Sequence, residues 1–276
     1  MIDDLSIMYN TCFMYKNIWD PFFALKNKYC SNLKIKTYLC SDGNIDEYFK
    51  DKKLYDNTEF INYPSEARAD GFESNYTQRL LYYLTNIPTN YVIYWYDDMF
   101  LTNHVNFEKI NESFELMKTD SNIKTIKLST CSHPFTGSIY YQNKDFKLQQ
   151  NSKKDQYCVN LQPSIFRKDF LINMCEYLIS NNTIHNGSYD IENYGTKYFH
   201  INQDNKSLRS NIDLIPVYGD CGIVSAGYIR NGVLDFLKGE NISMKIHDNF
   251  IYEKNNENVK KLSDNNINYL KCMKLI

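Results

Sequence analysis

The residues with the clearest chemical potential are two adjacent carboxylates, Asp97 and Asp98, which follow the apolar run YVIYWY at Tyr91 to Tyr96. In open α/β sheets, ligands bind beyond the carboxyl ends of the strands. Two carboxylates side by side at such a place repel one another. A hard divalent cation, Mg²⁺ or Mn²⁺, offsets that repulsion, because it takes oxygen ligands and leaves positions open for phosphate oxygens. The competing view is an ordinary solvated turn. Other phosphate chemistries leave no trace in the chain. A phosphatase that forms an aspartyl-phosphate needs a second carboxylate one residue further on, where this chain has Met99. No GxxxxGK[ST], GxGxxG or GxSxG pattern occurs. Phosphates would therefore be held through a metal and side chains.

The elements that must position this pair alternate in type. Leu5 to Met8, Ile35 to Cys40, Phe60 to Tyr63, Tyr91 to Tyr96 and Ile123 to Leu128 read as strands. Between them, Ile18 to Leu25 reads as a helix, and Tyr76, Leu80, Leu81 and Leu84 repeat at helical spacing after a cap at Ser74 or Asn75. Phe107, Ile110, Phe114 and Met117 lie on one face of a further helix. YVIYWY has no polar alternation, as expected of a strand buried on both faces of a parallel sheet. Residues 129 to 162 predict loops and one or two antiparallel strands, the last at Tyr157 to Leu161. Arg167 to Ile179 predicts a strong helix, and Ser188 to Tyr198 another after a turn. Ile212 to Val217 predicts a late strand, and Gly219 to Gly227 a loop. The expected architecture is α/β, a central mostly parallel sheet flanked by helices with a small antiparallel addition. It forms one domain over 1–252, with 253–276 as a polar tail.

Composition excludes more than it selects. The 276 residues are 43% hydrophobic and 23% charged, enough for a real core. Twenty-four Tyr reflect the same bias as the abundant Asn, Lys and Ile, that of an AT-rich coding sequence, and say little about function. A net charge of -2 argues against a dedicated nucleic-acid binder. No run approaches the roughly 18 apolar residues of a membrane span, and the acidic start MIDDLSIMYN lacks the pattern of a signal peptide. These features predict a cytoplasmic protein, in the host cytoplasm if the source is a virus. Eight Cys without a CxxC pair read as buried free thiols, with zinc or disulfides as the lesser alternative.

Four stretches, in order, resemble GT-A glycosyltransferases, in particular virus-encoded and bacterial polysaccharide-type enzymes that use nucleotide-sugars. They are SIMYNTCFMYKNIWDPFFAL, YTQRLLYYLTNIPTNYVIYWYDDMFL, NLQPSIFRKDFLINM and the acidic group Tyr189-Asp190-Ile191-Glu192, which together span most of residues 5 to 235. Phe166 and Tyr76 stand where that group has Trp. The resemblance implies a GT-A (Rossmann-like) fold and a metal-dependent, inverting, hexosyltransferase-type reaction. A sugar would pass from a nucleotide-sugar, UDP by default, to a hydroxyl of a glycan or similar acceptor. It places the cation on Asp98, with Asp97 beside it or toward the ribose, and His247 as a possible third ligand. Glu192 becomes the first candidate for the base that accepts the hydroxyl proton, and Asp190 the second; the competing view is that both are solvated acids favoured at a helix start. Thr11 and Asp42, after the first two strands, fall where a nucleotide would lie. Arg79 could meet the diphosphate, and Gln162 and Arg167 could line the acceptor side. Two other functions use the same residues: a non-catalytic carbohydrate- or nucleotide-binding protein, and a metal-dependent phosphoester hydrolase. Sugar, acceptor and oligomeric state are not specified by the sequence.

Overall fold

The computed structural model describes residues 4–31, 35–49, 57–64, 76–130, 137–152, 155, 157–181, 187–218, 222–225, 228–230 and 232–244. His247, the Ser74/Asn75 cap and the 253–276 tail lie outside the described residues.

Nine strands form one sheet: β1 (Leu5–Thr11), β2 (Lys36–Ser41), β3 (Thr58–Asn62), β4 (Tyr91–Tyr96), β5 (Ile123–Lys127), β6 (Ser138–Gln142), β7 (Lys147–Gln150), β8 (Ser164–Arg167) and β9 (Lys206–Ser210). Their spatial order is β3-β2-β1-β4-β8-β5-β9-β7-β6. The pairings run parallel from β3 through β4 and again between β5 and β9. Strand β8 is antiparallel to both β4 and β5, and β7 to both β9 and β6. All strands except β7 and β8 therefore point the same way, as the mostly parallel expectation requires.

The helices are α1 (Trp19–Tyr29), α2 (Ile45–Phe49), α3 (Tyr76–Asn86), α4 (Phe107–Thr119), α5 (Lys168–Ser180), α6 (Ser188–Phe199) and α7 (Val233–Gly239). A 3-10 turn, Phe13–Ile18, precedes α1, and a two-residue hairpin, β10 (Val224–Ser225) with β11 (Tyr228–Ile229), precedes α7. Helices α1, α2, α4 and α7 pack on one face of the sheet, and α3, α5 and α6 on the other. In β4, Tyr91, Ile93 and Trp95 enter the first layer while Val92 and Tyr94 enter the second. Both faces of the strand are thus buried, which explains a run of six apolar or aromatic residues without alternation.

Two expected strands are corrected. Tyr157 to Leu161 is extended but is not a strand. The N–H of Val159 donates to the Thr196 hydroxyl at 3.2 Å, and that of Leu161 to the Glu192 carboxylate at 2.7 Å. The segment is satisfied by two successive turns of α6 rather than by a neighbouring strand. The strand falls instead at β8, just before α5. Ile212 to Val217 is likewise irregular: Leu214 and Ile215 both donate to the Leu128 carbonyl, and only Val217 forms a bridge, to Leu101. The late strand is β9, whose buried side chains include Ser207 and Ser210. The Ser207 hydroxyl is spent on the Cys158 carbonyl and the Asn151 amide, both at 2.8 Å. Inward positions filled by bonded hydroxyls leave no apolar pattern to read. Among the described residues, five cysteines are free and four of those are buried, in line with the thiol expectation.

Candidate functional site

The strand order turns between β1 and β4. From β1 the chain moves outward to β2 and β3, then returns to place β4 on the other side of β1. A crevice opens beyond the carboxyl ends at such a reversal. The register puts Asn10 opposite Tyr96 and Thr11 opposite Ser41, so Thr11, Asp42 and Asp97-Asp98 all gather there.

Asp97 is buried and held in place. The indole N–H of Trp19, at the start of α1, lies 2.7 Å from both its Oδ2 and the Thr11 Oγ1, and the Thr11 hydroxyl donates to the same Oδ2. Both contacts fall on one carboxylate oxygen. Burial, and next the charge of Asp98, push the Asp97 carboxyl well above its ordinary range, while Thr11 and Trp19 act the other way. Asp98 is half-buried. Burial raises its carboxyl to about 7, opposed by the positive charge of Arg230. Its carbonyl accepts the N–H of Ile223 at 2.7 Å, and Ile223 in turn accepts from the N–H of Arg230 at 2.9 Å. This chain of bonds sets the β10–β11 hairpin beside the carboxylate pair. Gly222, with φ at +80°, lies directly against Asp98, so a Cβ at that position would stand 2.3 Å from Oδ2. Only glycine combines that backbone with that closeness.

Asp42 binds within the site. Its Oδ1 accepts the N–H of Phe13 at 2.7 Å, and its Oδ2 the Arg79 guanidinium at 2.7 Å and the Cys12 thiol at 3.3 Å. Asp42 and Arg79 thereby tie the turn after β1 to the first turns of α3. Tyr15, in that turn, feels the charges of Asp98, Asp97 and Asp42 together; burial first and then Cys12 and these acids push its hydroxyl up.

Glu192 belongs to the same edge. Because β8 is antiparallel, its first residue, Ser164, pairs with Tyr94 and Lys127 near the carboxyl ends of β4 and β5. Residues 161–163 therefore run beyond those ends, and Glu192 reaches them through the Leu161 N–H. Burial raises the Glu192 carboxyl to about 7; the Leu161 N–H and the Lys127 charge oppose the rise. Gln162 is half-buried on this edge and accepts the Lys127 ammonium at 2.5 Å. The Glu192 charge also acts on the hydroxyls of Tyr76 and Tyr96.

Two expected site residues stand apart. Asp190 is half-exposed in the first turn of α6, and two residues along a helix is about 200° of rotation, so it does not share the orientation of Glu192. Arg167 sits at the opposite end of β4, paired with Tyr91. Its guanidinium donates to the carbonyls of Ile123 at 2.9 Å, Asp120 at 3.1 Å and Met117, and to the Tyr91 hydroxyl at 2.9 Å. It closes the C-terminal end of α4, at the end of β4 away from Asp97-Asp98, and so is not one of the residues gathered at the site. Trp19, Tyr15, Gly222 and Arg230 were missed by sequence reasoning. Trp19 and Gly222 act through single close contacts with the acids, and nothing in the surrounding sequence marks Arg230. Among the described residues, no three His, Cys, Asp or Glu side chains converge on a metal position, and no helix is long and apolar enough to cross a membrane.

Neither a protein-family model nor a characterised relative matches the sequence. Solved structures with a related arrangement include TarS of S. aureus, with 11% identity, a TM-score of 0.46, and 89% of this chain and 41% of that one covered. An active-site mutant of LgtC has 12% identity, a TM-score of 0.42, and coverage of 88% and 80%. The glycosyltransferase GlyE of Streptococcus pneumoniae has 11% identity, a TM-score of 0.41, and coverage of 70% and 43%. The chain spans 60% of the TarS 1–349 fragment and less than half of the longer TarS structure. These likenesses concern the general α/β plan, and every residue role below rests on this chain's own geometry.

Proposed function

We propose that the protein is a metal-dependent, inverting glycosyltransferase that moves a sugar from a nucleotide-sugar, with UDP as the favoured nucleotide, to a hydroxyl of a glycan or similar acceptor. The observation that carries this is one sheet edge holding two unlike acidic groups. One is the Asp97-Asp98 pair in the β1–β4 crevice; the other is a half-buried single carboxyl, Glu192, raised to about 7. A pair that needs a positive partner suits a departing diphosphate, and a lone carboxyl with its pKa near neutrality suits proton transfer from a hydroxyl.

Asp97 and Asp98 fit a hard cation. Trp19 and Thr11 occupy one oxygen of Asp97, leaving the other and the Asp98 carboxylate as donors. Mg²⁺ and Mn²⁺ are commonly held by one or two carboxylates, with water and phosphate oxygens completing the shell. When bound, such an ion supplies positive charge to the diphosphate that leaves. The chain's own residues do the remainder. Trp19 and Thr11 fix Asp97. The Asp42–Arg79 pair fixes the turn that borders the nucleotide side. Arg230 adds a positive charge near Asp98. Glu192 takes the proton of the attacking acceptor hydroxyl, a role typically worth about 10²–10⁴ in rate.

Isothermal titration of UDP with and without Mn²⁺, on the wild type and Asp98→Asn, tests the donor side. Wild-type binding should strengthen with Mn²⁺ and the variant should lose that dependence. Equal Mn²⁺ dependence in both removes the metal assignment. A panel of nucleotide-sugars with simple glycoside acceptors tests transfer. Release of phosphate without an acceptor would instead identify a phosphoester hydrolase.

A further inference from the structure

The β10–β11 hairpin carries a cation that the fold leaves unpaired. Arg230 follows β11 directly and is half-buried. Its backbone N–H donates to the Ile223 carbonyl at 2.9 Å, and the Ile223 N–H donates to the Asp98 carbonyl at 2.7 Å. Two successive hydrogen bonds thus link the Arg230 backbone to that of Asp98. Among the described residues, the guanidinium forms no hydrogen bond and no ion pair, and its Nε is buried without a partner. Arg79, by contrast, is already paired with Asp42 at 2.7 Å.

A guanidinium with a buried N–H and no acceptor is costly to hold, and an anion beside it removes that cost. The arginine fork presents parallel N–H donors that match the oxygens of a phosphate. The positive charge of Arg230 reaches Asp98 and opposes the rise that burial causes in its carboxyl, yet the two side chains do not pair. A carboxylate and a cation that sense each other without pairing suit a ligand that meets both. One phosphate oxygen then faces a metal ion on the acid, and others face the arginine. The contacts also have an order. Thr11 and Trp19 hold Asp97 from the β1 side, and Gly222 and Ile223 lie against Asp98 from the hairpin side. A nucleotide entering from the Asp42 turn meets the acids before it meets Arg230, so the arginine falls to the phosphate furthest from the nucleoside.

We infer that Arg230 binds the outer phosphate of a nucleoside diphosphate, and that the site thereby selects diphosphates over monophosphates. The hairpin bonds through Ile223 fix the arginine backbone relative to the acids, so the fork and the carboxylates meet the ligand together. The inference rests on the proposed function for the cation on the acids and for the nucleotide.

The test is isothermal titration of UDP, UMP, GDP and GMP in the presence of Mn²⁺, on the wild type, Arg230→Met and Arg230→Lys. Arg230→Met keeps an apolar stem and removes the charged fork, whereas Arg230→Lys keeps the charge and loses the fork. The wild type should bind the better diphosphate at least about tenfold more tightly than its monophosphate, the worth of one hydrogen bond to a charged group. In Arg230→Met the diphosphate should weaken by about the same factor, with monophosphate affinity within about twofold of the wild type. Arg230→Lys should fall between the two. Equal weakening of diphosphate and monophosphate marks a purely structural role and overturns the inference. Unchanged diphosphate affinity in Arg230→Met overturns it too, as does a wild type that does not distinguish the two nucleotides. A wild type that binds none of the four overturns it together with the proposed donor site. A wild type that selects diphosphates through Arg230 and transfers no sugar leaves the inference standing and removes the transferase function instead.

Discussion

Replacing Glu192 with glutamine should remove transfer and, at alkaline pH, make the protein more stable. The carboxyl projects from α6 and accepts the Leu161 N–H, and burial raises it from 4.5 to about 7. A carboxyl raised in the folded state keeps its proton at a pH where the unfolded chain has already lost one. Between about 4.5 and 7 the native state binds more protons, so this group lowers stability as pH rises. Above about 7 the full penalty is present. At 1.36 kcal/mol per pH unit the difference is about 3 kcal/mol, and residual solvent contact reduces the working figure to about 2 kcal/mol. Glutamine carries no charge and can still accept the Leu161 N–H through its Oε1. Urea unfolding of both proteins at pH 5 and pH 8 measures the effect. The advantage of Glu192→Gln should grow by about 2 kcal/mol between them, an effect of several degrees in Tm. Asp97 and Asp98 titrate alike in both proteins and cancel in the comparison. If Glu192 is the base, as proposed, the same ionisation governs catalysis, and kcat should climb with pH to a plateau above about 7. An advantage that does not change with pH, or a rate flat from pH 5.5 to 8, would refute the assignment of Glu192 as a raised carboxylate base.

Two further substitutions separate site from scaffold. Gly222→Ala puts a Cβ 2.3 Å from the Asp98 carboxylate on a backbone at φ +80°. It should cost about 1–2 kcal/mol in urea unfolding and weaken Mn²⁺-supported UDP binding at least tenfold, as seen by calorimetry; an unchanged affinity would mean that Asp98 has room to move. Arg167→Met leaves the carbonyls of Met117, Asp120 and Ile123 without their donor. It should lower stability by about 3 kcal/mol with no change in acceptor KM, and a raised KM at normal stability would return Arg167 to the acceptor side.

Much of the frame is legible in the residues alone. YVIYWY occupies β4 from Tyr91 to Tyr96, as read, and Phe107, Ile110, Phe114 and Met117 fall on α4. Those patterns are local: a strand buried on two faces must be apolar throughout, and a helix on a sheet must repeat its apolar face about every 3.6 residues. The position of Asp97-Asp98 at a strand end follows from the same pattern. Local periodicity fails where polar atoms replace apolar contacts. β9 is filled with bonded serines, and Val159 and Leu161 look like a strand because they are extended, yet their partners are helix side chains.

Tertiary structure alone decides what each polar side chain faces. Arg167 and Gln162 are five residues apart in sequence, but β8 carries one to the far end of β4 and leaves the other beside Lys127. Glu192 and Asp190 are near neighbours in the chain, and the turn of α6 gives them different orientations and surroundings. Trp19 meets Asp97 across 78 positions, and Asn10 meets Tyr94 across 84. The residue types and the strand that ends in two acids are properties of the chain. Their proton states and pairings depend on burial and distance, which exist only once the sheet has closed around them.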